Sequence, residues 1–228
     1  VRPASRFVVL LAVLSLAAFA PVARSATPVQ FEAAGLVSQI SGNSGLGGGS
    51  VSDFFSTGYG FSLGISVGMG KHLSLGYRTG LFDDSKDIAP ELAPPVWSSL
   101  PGYNRFQAAN ATNIHRKLTS IPHHAILGYH ARLGQRFGFY DEFGLGLTSF
   151  TGKMEYYNGD RSQFRLSAYQ LNFSMLLGGG VTWDYQNLAT LVAGVNVLMV
   201  PTQDGDVWSS GDNPQYIQFS LGFRYPRR

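Results

Sequence analysis

The chain has 228 residues, no cysteine, 28 glycines and 17 Lys and Arg against 14 Asp and Glu, with 13% aromatic and only 14% charged residues. This composition excludes a disulfide scaffold and a disordered polyelectrolyte. The lack of any 18-residue apolar run excludes a bundle of membrane helices, but a transmembrane β-barrel stays open.

At the start of the chain, Arg2 and Arg6 precede or open an apolar stretch from Phe7 to Ala20, and small residues follow at Ala23 and Ser25. That order predicts a secretory signal over 1–25, cleaved after Ser25. A stretch of fourteen residues is too short to span a bilayer core of about 30 Å. Without Arg2, Arg6 and Arg24 the basic residues number 14, equal to the acidic ones. A balanced chain of this kind gives no ground for nucleic-acid binding.

From about residue 29 the sequence alternates, predicting eight strands near 29–38, 59–69, 72–82, 121–133, 137–149, 165–182, 188–199 and 215–225. The odd positions carry the bulk: Tyr59, Phe61, Leu63, Ile65, Val67 and Met69 make one row, and Ile217, Phe219, Leu221, Phe223 and Tyr225 another. Even positions between them are Gly, Ser, Asn and Gln with a few charges. A soluble barrel would turn bulky residues inward and expose Lys and Glu. Here the small polar face suits a narrow interior and the bulky face suits hydrocarbon.

The connections alternate short and long. Gly70-Lys71, Gly134-Gln135-Arg136 and Asp184-Tyr185-Gln186-Asn187 are turns, whereas 39–58, 83–120, 150–164 and 200–214 are long. Outer-membrane barrels have this asymmetry, with turns and both termini on the periplasmic side. Aromatics at Phe137, Phe139, Trp183, Tyr185, Phe223 and Tyr225 mark the periplasmic rim, and Phe54, Phe55, Phe82 and Phe150 the opposite one.

Charges on the even face are the first candidates for a site: Glu32, Arg78, His130, Arg132, Glu142 and Arg224. Inside eight strands they must pair, and barrel closure sets Glu32 beside Arg224. His123, His124 and His130 invite a catalytic or metal reading, but a nucleophile needs a base within hydrogen-bond reach, and the sequence ties His123 to no particular serine. The odd position of His123 aims it outward. Asp83, Asp84, Asp87, Asp204, Asp206 and Asp212 fall in long loops without the spacing of a calcium loop, and the Gly-rich run 42–50 lacks the ending of a phosphate cradle. No cofactor or metal site is expected. The 83–120 segment, with Trp97, Tyr103 and Phe106 among four prolines, is the expected cap or contact surface.

Taken together, the mature chain resembles the small eight-stranded outer-membrane barrels of Gram-negative bacteria, the OmpA/OmpX-like group. The resemblance rests on this architecture and on the last strand, Gln215 to Tyr225, which looks like the assembly signal such proteins carry. It implies an up-and-down antiparallel barrel in the cell outer membrane, surrounded by outer-membrane lipid and recognised by the barrel assembly machinery through that strand. The expected role is structural or interactive at the cell surface, without enzymatic activity. Passage of small hydrophobic solutes, as in OmpW-like barrels, and lipid A modification are the alternatives.

Overall fold

The computed structural model describes residues 29–41, 57–90, 98, 100–185, 189–201 and 215–225. The expected signal segment, Trp97, Phe54, Phe55, the Gly-rich run and the acidic cluster at 204–212 lie outside them. Eight strands, β1 (Val29–Ser41), β2 (Gly58–Met69), β3 (Leu73–Ile88), β4 (Asn113–Arg132), β5 (Phe137–Asn158), β6 (Arg161–Tyr185), β7 (Ala189–Met199) and β8 (Gln215–Tyr225), form one closed antiparallel ring in sequence order. The expected fold class is therefore the observed one. Closure is made by β1 and β8, which pair from Phe31 opposite Tyr225 to Ser41 opposite Gln215. Because every strand has two neighbours, no unpaired edge is left among them.

Side-chain parity decides what each face meets. Through the lower part of the ring the odd residues Phe61, Leu63, Phe143, Leu145, Phe173 and Leu221 stand out on the exterior, 40–69% exposed. Such a continuous apolar band, unmatched by any partner element, belongs against hydrocarbon. On β5 it is made by Phe139, Phe143, Leu145 and Leu147, interrupted by Asp141 near the lower edge, over a height of about 20 Å for a strand tilted near 45°. Gly70 (φ +83°) permits the tight β2–β3 turn at the lower, short-turn end.

Four strands are much longer than expected. β3 continues to Ile88, β4 begins at Asn113, and β5 and β6 run on to a turn at Gly159 (φ +58°). The 150–164 connection is therefore mostly paired strand, and the 83–120 connection shrinks to 89–112 with a short helix α1 (Arg105–Ala109). Asn104 caps that helix by accepting from the backbone N–H groups of Phe106 and Gln107. The physical reason for the extra length is that polarity inverts above the band. Here most even residues are apolar and packed inside, with Asp84, Arg116 and Ser120 buried among them, while the odd ones, Asp83, Asp87, Lys117, Lys153, Glu155 and Arg165, are polar and face out.

Two apolar clusters fill the upper interior. Phe82, Leu118, Phe150, Leu198, Val200 and Tyr216 close the barrel at the level where polarity inverts. Above them Ile88, Ile114, Met154, Tyr156 and Leu166 pack against Tyr103 and Phe164. Phe82 and Phe150 thus belong to this interior plug, not to a lipid-facing rim. Their even parity sends them inward, as it does the even residues around them.

Candidate functional site

The interior below the apolar plug is built on glycine. Gly64, Gly128, Gly178 and Gly194 lie on the inward face and leave room for long side chains on their neighbours. A Cβ at Gly194 would come within 2.0 Å of the Tyr140 hydroxyl, so the phenol crosses the lumen only because that position is bare. This glycine-rich face, half of the alternation in the sequence, is what admits two arginines to a barrel of eight strands.

Those arginines organise an ion-pair network. Arg78 bonds to Glu142 through both terminal nitrogens, and its Nη2 donates to Glu32 Oε1 at 2.8 Å. Arg224 Nε donates to Glu32 Oε2 at 2.9 Å, so Glu32 bridges both guanidinium groups across the β1–β8 seam. Arg224 Nη1 also lies 3.2 Å from His130 Nδ1. Since arginine only donates, that ring nitrogen accepts, and His130 Nε2 donates to Ser74 Oγ at 3.0 Å. Tyr140 stacks beneath Arg224, whose guanidinium carbon is 5.5 Å from its ring centre. Two carboxylates meet two guanidinium groups, and the space left among them is a cavity of about 30 Å³, the share of one water.

The structure therefore brings Glu32, Arg78, His130, Glu142 and Arg224 together. Arg132 is the exception: it is exposed at the short-turn end, with Nη2 3.9 Å from Asp184 Oδ2. Its parity is inward, but β4 ends there, so the side chain emerges below the network. Reading charges alone misses Tyr140 and Ser74. An even-numbered aromatic on a glycine-lined face is the signal that marks Tyr140.

The histidines separate by parity as well. His124 is buried in the lumen, where its Nε2 is 2.9 Å from Ser174 Oγ and that hydroxyl is 2.8 Å from Thr148 Oγ1. No solvent or lipid reaches this serine. His123 is half-buried on the outer face, with Nδ1 bonded to the Tyr77 hydroxyl at 2.6 Å and 3.3 Å from Thr79 Oγ1. No described serine is hydrogen-bonded to it.

In the upper extension, Tyr103 packs edge-on against Tyr156 and Phe164. Among the described residues the expectation of an exposed surface aromatic holds for Phe106, which is 85% exposed on α1, and not for Tyr103. Asp84 is fully buried on the inner face near Arg116, and neither of its oxygens has a hydrogen-bond donor among the described residues. Burial, with Asp83 nearby, pushes its carboxyl up to about 7, while burial brings Arg116 down to about 10.

No protein-family model and no curated protein matches the sequence. Solved structures do share its fold. A major outer membrane protein from Thermus thermophilus aligns at 14% identity with a TM-score of 0.50, covering 87% of this chain and 99% of that one. Neisserial surface protein A aligns at 14% identity and a TM-score of 0.49 over 87% and 97% of the two chains. The outer membrane enzyme PagL aligns at 16% identity and 0.40 over 86% and 99%. The chain has the fold of small eight-stranded outer-membrane β-barrels; in barrels of that kind the short turns stand at the periplasmic end and the long connections at the extracellular end.

Proposed function

We propose that this chain is a non-enzymatic protein of the outer membrane whose role is interaction at the cell surface. The observation that carries this reading is the inverted polarity of β3–β6. Those strands keep pairing beyond the lipid band and bury a core of their own, which a bare membrane anchor does not need. Their outward face presents Asp87, His115, Lys117, Lys153, Glu155 and Arg165, and the 89–112 segment carries the exposed ring of Phe106 above it. Rigid strands under a display surface lower the ordering cost of binding. The apolar plug and the ion-pair network stand against solute passage along the lumen, and the hydrogen-bond partners of His123 give no support to acyl transfer. The C-terminal strand β8, which seals the ring against β1, is the segment we assign to recognition by the assembly machinery.

The test is display of the whole chain in a Gram-negative host. Against surfaces coated with matrix proteins and sulfated glycans, the expected result is adhesion above vector-only cells, lost when residues 89–112 are replaced by a short turn. Equal adhesion with and without the chain would remove the interaction reading. In the same cells lipid A should keep its acyl pattern. A changed pattern that His123→Ala restores would establish an enzyme instead.

A further inference from the structure

At the periplasmic mouth the lumen widens into a cavity of about 290 Å³, lined among others by Lys71, His72, Arg132, Arg136, Asp184 and Arg224. At about 30 Å³ per water it holds on the order of ten waters. Its charge is one-sided. Arg224 is matched by Glu32 in the network above, and Glu142 matches Arg78, so that layer contributes no net charge. Lys71, Arg132 and Arg136 then face a single carboxylate, Asp184, which Thr190 also binds through a 2.7 Å hydrogen bond. Histidines aside, the surplus is two positive charges. Neither the Lys71 ammonium nor the Arg136 guanidinium makes a hydrogen bond or ion pair among the described residues. The lipid-facing barrel wall around the cavity concentrates this field. Gln30, Thr182 and Thr190 add neutral groups that hydrogen-bond from the inward faces of β1, β6 and β7.

We propose that this vestibule is a binding site for a doubly charged phosphoryl oxyanion entering from the periplasm, either free phosphate or the terminal phosphate of a small metabolite. Two surplus cations match the charge of hydrogen phosphate or a phosphate monoester, and Arg132 and Arg136 offer the forked donors that such oxygens take. The lumen is dead-ended above the site by the network and the apolar plug, so the vestibule holds the anion without conducting it.

The experiment uses the refolded barrel in zwitterionic phosphatidylcholine nanodiscs, titrated with inorganic phosphate and with pyrophosphate by calorimetry and by amide shifts. The expected result is saturable binding at one site, with shifts at the β2–β3 and β4–β5 turns. Lys71→Gln combined with Arg136→Gln should weaken it about tenfold, while Lys117→Gln at the far end leaves it unchanged. Affinity should also fall between about 20 and 200 mM salt, as the Debye length shortens. No saturable binding, or binding that is indifferent to both the double variant and salt, overturns the proposal. A second arm replaces phosphatidylcholine with phosphatidylglycerol. Turn shifts seen only in those discs, and not displaced by added phosphate, assign the cations to lipid headgroups and overturn a soluble ligand. Heat-dependent gel mobility checks that the variants are closed barrels, and if the double variant does not fold, the salt series on the unaltered chain decides.

Discussion

At the scale of single residues the lumen is governed by what happens to a buried charge when its partner goes. Arg78 holds both Glu142 and one oxygen of Glu32. Arg78→Ala leaves Glu142, which is 7% exposed, without the guanidinium that holds it. The expected loss is about 3–5 kcal/mol in urea unfolding from lipid bilayers, against a much smaller change for the double variant Arg78→Met/Glu142→Leu, which removes both charges. Asp84 behaves in the opposite sense. Its folded carboxyl sits at about 7, above the ordinary value of 3.8, so folding retains a proton that the unfolded chain releases between those values. Stability from this group is full below about pH 4, falls as pH rises toward 7 and is flat beyond. Asp84→Asn should therefore raise the urea midpoint at about pH 8 and flatten the pH profile between about 4 and 7. An unchanged profile would mean that a donor reaches the carboxylate in solution. The network members are legible in sequence because inward parity and charge together leave few candidates. Arg132 shows the limit of that reasoning, since parity names a face of the barrel but not a height within it.

At the scale of elements the decisive feature is a change of rule partway along one strand. Below Phe82 on β3 the odd residues Leu73, Leu75 and Leu81 face lipid, and above it Asp83, Ser85 and Asp87 occupy the same face. On β4 the apolar residues switch from Leu127 and Tyr129 to Ile114 and Leu118. A single register carried along the whole chain makes strand that has exchanged its solvents look like loop. The signal is nonetheless present in the sequence, as alternation that persists with opposite sign. The number of strands, their order and the short turns are readable because a single rule covers them all. The two-rule description predicts opposite outcomes for similar changes on β5. Leu145→Lys, in the middle of the lipid band, should cost about 2–4 kcal/mol, whereas Lys153→Leu should stay within about 0.5 kcal/mol. Met154→Lys, which places an ammonium in the upper core, should be as damaging as the first. Bilayer unfolding measurements on the three variants check the order, and a severe loss in Lys153→Leu would mean that lipid or another element covers that face.

At the scale of the whole molecule, two structures share the same strands. The membrane ring is held by continuous hydrogen bonding from β1 round to β8, and its interior is polar. The extension rests on its own apolar cluster around Ile114, Met154 and Leu166 and on Leu100, Tyr103, Ala108 and Ala111 packed against it. Between them the plug of Phe82, Leu118, Phe150, Leu198, Val200 and Tyr216 separates the polar lumen from the outer surface. If the two parts are energetically independent, joining Ile88 to Asn113 by a two-residue Asn-Gly turn should remove Tyr103 and α1 from the upper core without opening the ring. The expected result is a barrel that still migrates differently before and after heating in detergent gels, with its unfolding midpoint in bilayers nearly unchanged. The β3–β6 extension should become protease-sensitive, because Ile114 and Tyr156 lose the residues that cover them. Loss of the heat-dependent shift would show that the ring needs the covered extension in order to close.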